Sequence, residues 1–179
     1  MDPRIREMLD HYEIQKLIGA YCRGCDRMDS GLMSGVYAED SWDDHGPAKM
    51  SGPDFAEHTL ELMKDPLSLS GAHMLGQTLV SVDGDTAGAE TYFLASSRRA
   101  SESGEVLNQL GGRYVDTLVR DNGVWLILNR ICVRDWSVSL PIGTDWLRDA
   151  GFADGRRSSD DPSYSVLDPV GPIVNSIPT

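Results

Sequence analysis

Residues 69–85, LSGAHMLGQTLVSVDGD, decide how this chain folds. Upstream of them apolar residues recur every three or four positions; within them the period changes to two. Met74, Gly76, Thr78, Val80 and Val82 fall on one face of an extended segment, and His73, Leu75, Gln77, Leu79 and Ser81 on the other. Asp83-Gly84 then reads as a hairpin turn. The stretch therefore opens a meander of antiparallel strands, continuing over residues 86–98, 106–119 and 124–136, the last two joined at Asp121-Asn122-Gly123.

Working back toward the N-terminus, Ile5, Met8, Leu9 and Tyr12, then Ile14, Leu17, Ile18, Tyr21, Cys22 and Cys25, form one apolar stripe on a long helix. Asp26 follows Cys22 by four residues and lies at the stripe's edge. Asp29 and Ser30 cap a second short helix over residues 31–37. Residues 39–50 read as a short strand and a turn. Ser51-Gly52-Pro53 starts a third helix, which runs through Phe55, Thr59, Leu62 and Met63 and stops before Pro66. The plan is α+β, with three N-terminal helices packed against a curved, mainly antiparallel sheet. One domain is expected over residues 1–138. Residues 139–179, rich in Pro, Gly, Ser and Asp, form a C-terminal extension with no core of its own. Trp146, Leu147, Phe152 and Tyr164 are its candidate anchors, making it a lid over a pocket or an arm onto a neighbouring subunit.

With 179 residues, 40% hydrophobic and 25% charged, the chain is an ordinary globular composition. Its net charge of −12 argues against a nucleic-acid partner, whose phosphates need a basic surface, and against anionic membrane. The sequence has no apolar run of about 18 residues and no signal-peptide core, so a cytoplasmic location is expected. Three cysteines do not suggest a disulfide framework. Cys22-x-x-Cys25 lies late in a helix on its apolar face, which favours buried packing over redox chemistry, and no second pair completes a zinc site.

Asp26 and His73 are the smallest unit here that performs acid–base chemistry at neutral pH, a carboxylate able to orient an imidazole. Tyr21 either hydrogen-bonds a leaving oxygen or packs in the core. Asp43 and His45 share one strand face and Asp44 the other, with Trp42 beside them as an aromatic wall. The pair is either a second acid–base group facing inward or part of a solvated turn before Gly46-Pro47. A metal on His45, Asp43 and His73 is possible by residue type alone, but their spacing gives it little support. Arg98, Arg113, Arg130 and Arg134 lie on the strands. One of them, Arg113 being the candidate, is suited to a phenolate or carboxylate; the alternative is ion pairing, with Glu90 and Asp116 as natural partners.

The helical Tyr21-x4-Asp26, Asp29 at the next cap, and Val36-Tyr37-Ala38-Glu39-Asp40 resemble the SnoaL-like branch of the nuclear transport factor 2-like superfamily. Gly71-Ala72-His73-Met74, Val82-Asp83-Gly84-Asp85 and Asp121-Asn122-Gly123-Val124-Trp125 agree, so the resemblance covers roughly residues 5 to 138. Within it the chain is similar to the group of scytalone dehydratase, bile-acid 7α-dehydratase and hexachlorocyclohexane dehydrochlorinase. That resemblance implies a cone-shaped α+β barrel, a homo-oligomer (trimer favoured, dimer possible), an apolar cavity for a hydrophobic small molecule, and no cofactor. It implies catalytic roles for Asp26, His73 and Tyr21. The chain departs from the bile-acid enzyme at a third acidic position, where Ala95 or Ser96 stands, and Ser96 becomes a candidate substrate contact. The expected activity is that of a lyase eliminating water, or a small aldehyde from a lignin-type diol, from an aromatic molecule. The alternatives are an isomerase or cyclase working by proton transfer, and a non-catalytic ligand-binding module.

Overall fold

The computed structural model describes residues 2–143, 145–147 and 149–167. Helix α1, Pro3–Arg27, starts at Asp2, whose side chain accepts from the Arg4 N–H at 2.9 Å, with Pro3 at the position that needs no donor. It ends where Met28 turns left-handed at φ 54° and the Asp29 N–H returns to the Gly24 carbonyl at 2.9 Å. Gly24 is required there: a Cβ would sit 2.7 Å from the Met33 backbone nitrogen. From Ile14 to Cys25 the apolar stripe is buried, but Ile5, Met8, Leu9 and Tyr12 are exposed because the first turns overhang the sheet.

Asp29 caps α2, Ser30–Ser34, by accepting from the Leu32 N–H at 2.9 Å. The helix is shorter than expected, stopping at Gly35, so Tyr37 opens a strand instead of closing a helix. That strand, β1 (Tyr37–His45), turns back through Gly46 at φ 72° into β2 (Ala48–Ser51). Ser51 caps α3, Gly52–Met63, and Gly52 leaves room for the Tyr37 ring, which a Cβ would meet at 2.2 Å.

Four long strands follow: β3 (Ser68–Asp83), β4 (Thr86–Ser101), β5 (Gly104–Asp121) and β6 (Val124–Ile142). Asn122 and Gly123 both take positive φ, the requirement of a two-residue turn whose twist matches its strands. The sheet order is β2-β1-β6-β5-β4-β3, antiparallel throughout except that β1 runs parallel to β6. The sheet stays open and curves around the helices, giving the cone-like α+β form. Strand β6 continues past the expected end at Trp136, since Ser137 to Ile142 pair with Leu110 to Glu105.

The simple alternation read along β3 does not hold through the strand. Between the pairs Leu75–Phe93 and Thr78–Thr91 it carries one extra residue, a bulge beside Gly76. The extra residue exchanges the two faces, so His73 shares the concave side with Val80 and Val82 rather than opposing them. The core lies between that side and α1, with Phe93, Tyr114, Leu118, Trp125 and Ile127 packed against Ile14, Leu17 and Ile18. Each such burial is worth about 1.5–3 kcal/mol, so a few of them outweigh the net stability of a domain. No helix of the described residues is long and apolar enough to cross a membrane.

Candidate active site

Asp26 stands on the last turn of α1 and His73 near the start of β3, and the fold puts them in direct contact. One Asp26 oxygen lies 2.6 Å from His73 Nδ1, and the other accepts the His73 backbone N–H at 3.0 Å. This double attachment fixes both the carboxylate plane and the imidazole, and leaves Nε2 as the free ring nitrogen. Both side chains are about six-sevenths buried, at 14% and 15% exposure.

The pair lines a cavity of about 680 Å³, roofed by Leu62 and Met63 of α3 and walled by Leu110 and Val138. Ala95 is the register partner of His73 on β4, so a methyl group, not a second carboxylate, stands beside the imidazole. Ser96 borders the cavity and accepts from Gln109 Nε2 at 3.3 Å. Cys25 lines the inner end; burial, reinforced by the neighbouring Asp26 charge, pushes its thiol up to about 12. The cysteine is therefore a neutral wall group at physiological pH. Cys22, also buried, is raised to about 12 for the same leading reason.

The C-terminal extension supplies the remaining wall. Arg157 Nη1 donates to the Ser68 carbonyl and hydroxyl, both at 3.1 Å, and its guanidinium borders the same cavity. Burial works against its charge, while Cys25 and Asp26 favour it. Four contacts hold this segment against the end of α1 and the cap of α2. Arg23 lies over the Tyr164 ring at 4.6 Å and donates to Ser163 Oγ at 3.1 Å. Arg27 faces Asp161 at 3.5 Å, and Tyr164 Oη donates to Asp29 at 3.2 Å. Of the four expected anchors only Tyr164 serves here; Trp146 and Phe152 are largely exposed and Leu147 partly so.

The other sequence candidates occupy different places. Asp43 is fully buried, so the solvated-turn reading fails: His45 Nδ1 bonds one of its oxygens and Tyr37 Oη donates to the other at 2.6 Å. His45 stacks on Phe55 at 4.2 Å and its Nε2 faces Tyr21 Oη at 3.4 Å. Tyr21, Asp43 and His45 thus form a polar network within the core and are not among the residues lining the Asp26–His73 cavity. Arg130 crosses this network between the rings of Tyr21 and Tyr114, at 4.2 and 4.1 Å, and pairs with Asp116 through two 2.7 Å hydrogen bonds. Burial opposes the Arg130 charge, but Asp116 and the surrounding phenols more than restore it. Burial likewise keeps Tyr21, Tyr37 and Tyr114 neutral well above the ordinary phenol range.

Trp42 points away from Asp43 and is half exposed, because neighbouring strand residues face opposite sides. Arg113 lies on the convex face, tied to Glu90 at 3.0 Å and Asp135 at 3.3 Å, so it does not reach the cavity. Among the described residues the one group able to hold a metal is Cys25, Asp26 and His73, not the Asp43–His45–His73 set considered from sequence. A 2.6 Å hydrogen bond between two of its members and a neutral thiol fit proton handling better than ligation.

The family model of the SnoaL-like domain matches residues 6–131. A type 2 hexachlorocyclohexane dehydrochlorinase superposes with a TM-score of 0.70 at 16% identity, covering 80% of this chain and 99% of its own. A protein of unknown function from Mycobacterium tuberculosis gives 0.65 at 23%, covering 84% and 86%. A scytalone dehydratase candidate from Novosphingobium aromaticivorans gives 0.65 at 19%, covering 77% and 92%. At these identities the likeness is one of fold. No curated protein matches the chain.

Proposed function

This chain belongs to the SnoaL-like domain family, and from that premise we propose that it is a lyase that eliminates a small group from a hydrophobic, aromatic molecule by acid–base chemistry. The observation that carries the reading is the 2.6 Å Asp26–His73 contact on the wall of an apolar cavity.

In the proposed reaction His73 Nε2 removes a proton next to the leaving group. The released electron pair forms the new double bond as the C–O bond breaks, and the oxygen departs as water by taking the proton that His73 Nε2 has just accepted, which restores the neutral base. Asp26 holds the tautomer that leaves Nε2 free to accept and stabilises the imidazolium that forms. Expulsion of a small aldehyde from a lignin-type diol is a variant on the same base. A positioned base contributes about 10²–10⁴ in rate, so orientation within the cavity and exclusion of water supply the rest. Dehydrochlorinase and dehydratase names among the similar structures support a reaction of this kind without naming the substrate.

Ala95 beside His73 favours one second reading, a proton-moving isomerase or cyclase, since such a reaction needs no second carboxylate. The two are separated by incubating the protein with hydroxylated aromatic compounds and measuring product mass. Loss of water or an aldehyde supports the lyase; deuterium uptake from heavy water at unchanged skeleton mass supports the isomerase. Full turnover by His73→Ala would show the assigned base to be wrong. Exposed Leu79, Ile131 and Trp136 on the convex face are surfaces that a homo-oligomer, trimer or dimer, would cover.

A further inference from the structure

We propose that Arg157 and Arg134 together form an anion-binding end to the cavity, so that the substrate is an apolar molecule carrying an anionic oxygen, such as a carboxylate. This deepens the lyase reading by naming a substrate class, and it assigns the C-terminal extension a direct part in recognition.

Among the described residues three arginines border the cavity, Arg99, Arg134 and Arg157. Arg99 is neutralised by Asp65 at 2.7 Å. Arg157 is not: its hydrogen bonds go to two uncharged oxygens of Ser68, and its Nε is buried with no partner. Arg134, on β6, borders the cavity from its exposed side and makes no ion pair with any described residue. Among the described residues the single carboxylate in the lining, Asp26, is committed to His73 by both oxygens.

The chain has 28 acidic against 16 basic residues, and the strand arginines that face elsewhere do find carboxylates: Arg98 with Glu105, Arg113 with Glu90, Arg130 with Asp116. Cations that border an apolar chamber without an ion pair, in so acidic a protein, focus a local positive field. A buried guanidinium N–H without an acceptor is costly; Arg27, Arg98 and Arg130 each have one as well but also pair with a carboxylate, which Arg157 does not. Planar guanidinium groups match a carboxylate in two-point fashion, which the neutral serines and amides around them do not.

The test uses two fluorescent probes with the same aromatic frame, anilinonaphthalene sulfonate, which is anionic, and N-phenylnaphthylamine, which is neutral. Each is titrated into wild type, Arg157→Gln and Arg134→Gln. Each substitution is expected to weaken the sulfonate about tenfold, the scale of one charge-assisted hydrogen bond, and to change the neutral probe less than about twofold. Arg134→Gln leaves the extension's attachments to α1 intact, so it reports on charge even where Arg157→Gln loosens that segment. No sulfonate binding by wild type, or equal weakening of both probes in both variants, overturns the proposal. Turnover of His73→Ala judges the lyase reading separately, because probe binding does not depend on the base.

Discussion

Replacing Asp26 by asparagine tests the site with almost no change in volume. Asp26 now accepts twice, from His73 Nδ1 at 2.6 Å and from the His73 backbone N–H at 3.0 Å. Asparagine keeps one acceptor oxygen and gains a donor. The backbone N–H can only donate, so the oxygen must turn toward it, and the new amide N–H then faces Nδ1. That nitrogen must accept, which moves the ring proton to Nε2. The reverse arrangement sets two donors against each other at a cost of about 1–3 kcal/mol, enough to bias the tautomers roughly tenfold or more. A base whose outward nitrogen already holds a proton cannot take another. Turnover should fall about 10³–10⁴-fold, roughly 4–5.5 kcal/mol of transition-state stabilisation. Ring-nitrogen NMR of the four histidines reads the tautomer directly, with no substrate needed. His73 should carry its proton on Nδ1 in wild type and on Nε2 in the variant. An unchanged tautomer with turnover within about fivefold of wild type would refute the reasoning.

Arg130→Met leaves Asp116 buried with an unpaired charge and should cost about 3–5 kcal/mol in urea unfolding, whereas Arg130→Met with Asp116→Leu should recover much of it; a single-variant cost below about 1 kcal/mol would show that the pair carries little. With Cys22 and Cys25 raised to about 12, only about one thiol in ten thousand is ionised at about pH 8, so thiol reagents should label both only after unfolding; rapid native labelling would contradict that environment. The Arg156 N–H and the Ser163 hydroxyl and N–H hold the Asp161 carboxyl well below its ordinary 3.8. A depressed folded value means that its contribution is present above 3.8 and erodes as pH falls below it, so the extension should loosen in acid before the core does. Hydrogen exchange over residues 156–165, compared between about pH 5 and pH 3, checks this; equal protection at both would count against it.

Periodicity made most of the fold legible, because the change from a helical to an extended repeat near residue 69 is a local property of side-chain spacing. The parallel β1–β6 pair was not legible, since nothing local to Tyr37–His45 specifies a partner almost ninety residues away. The β3 bulge was hidden for another reason: an extra residue in an alternating pattern shows only against its neighbour's register. Asp26 and His73 could be named because each residue type suits one chemistry. Arg157 could not, as it lies in a stretch without period or motif, and only attachment of that stretch to α1 brings it to the cavity. His45 and Asp43 show the converse, a pair with catalytic residue types enclosed in the interior by Phe55, Tyr37 and Tyr21.

The pairing of β1 with β6 also bears on how the protein is made. During synthesis β1 leaves the ribosome long before its long partner, so one side of it stays open until residues 127–131 emerge. By then β3, β4 and β5 can already have zipped into hairpins, whose closures are short. The joining of β1 to β6 is thus the long-loop step, whereas α1 already has its main sheet partner in β3. A nascent chain stalled before β6 would already carry the α1–β3 contact that joins Asp26 to His73, and a circular permutant that begins at Gly84 would separate order of synthesis from order of assembly.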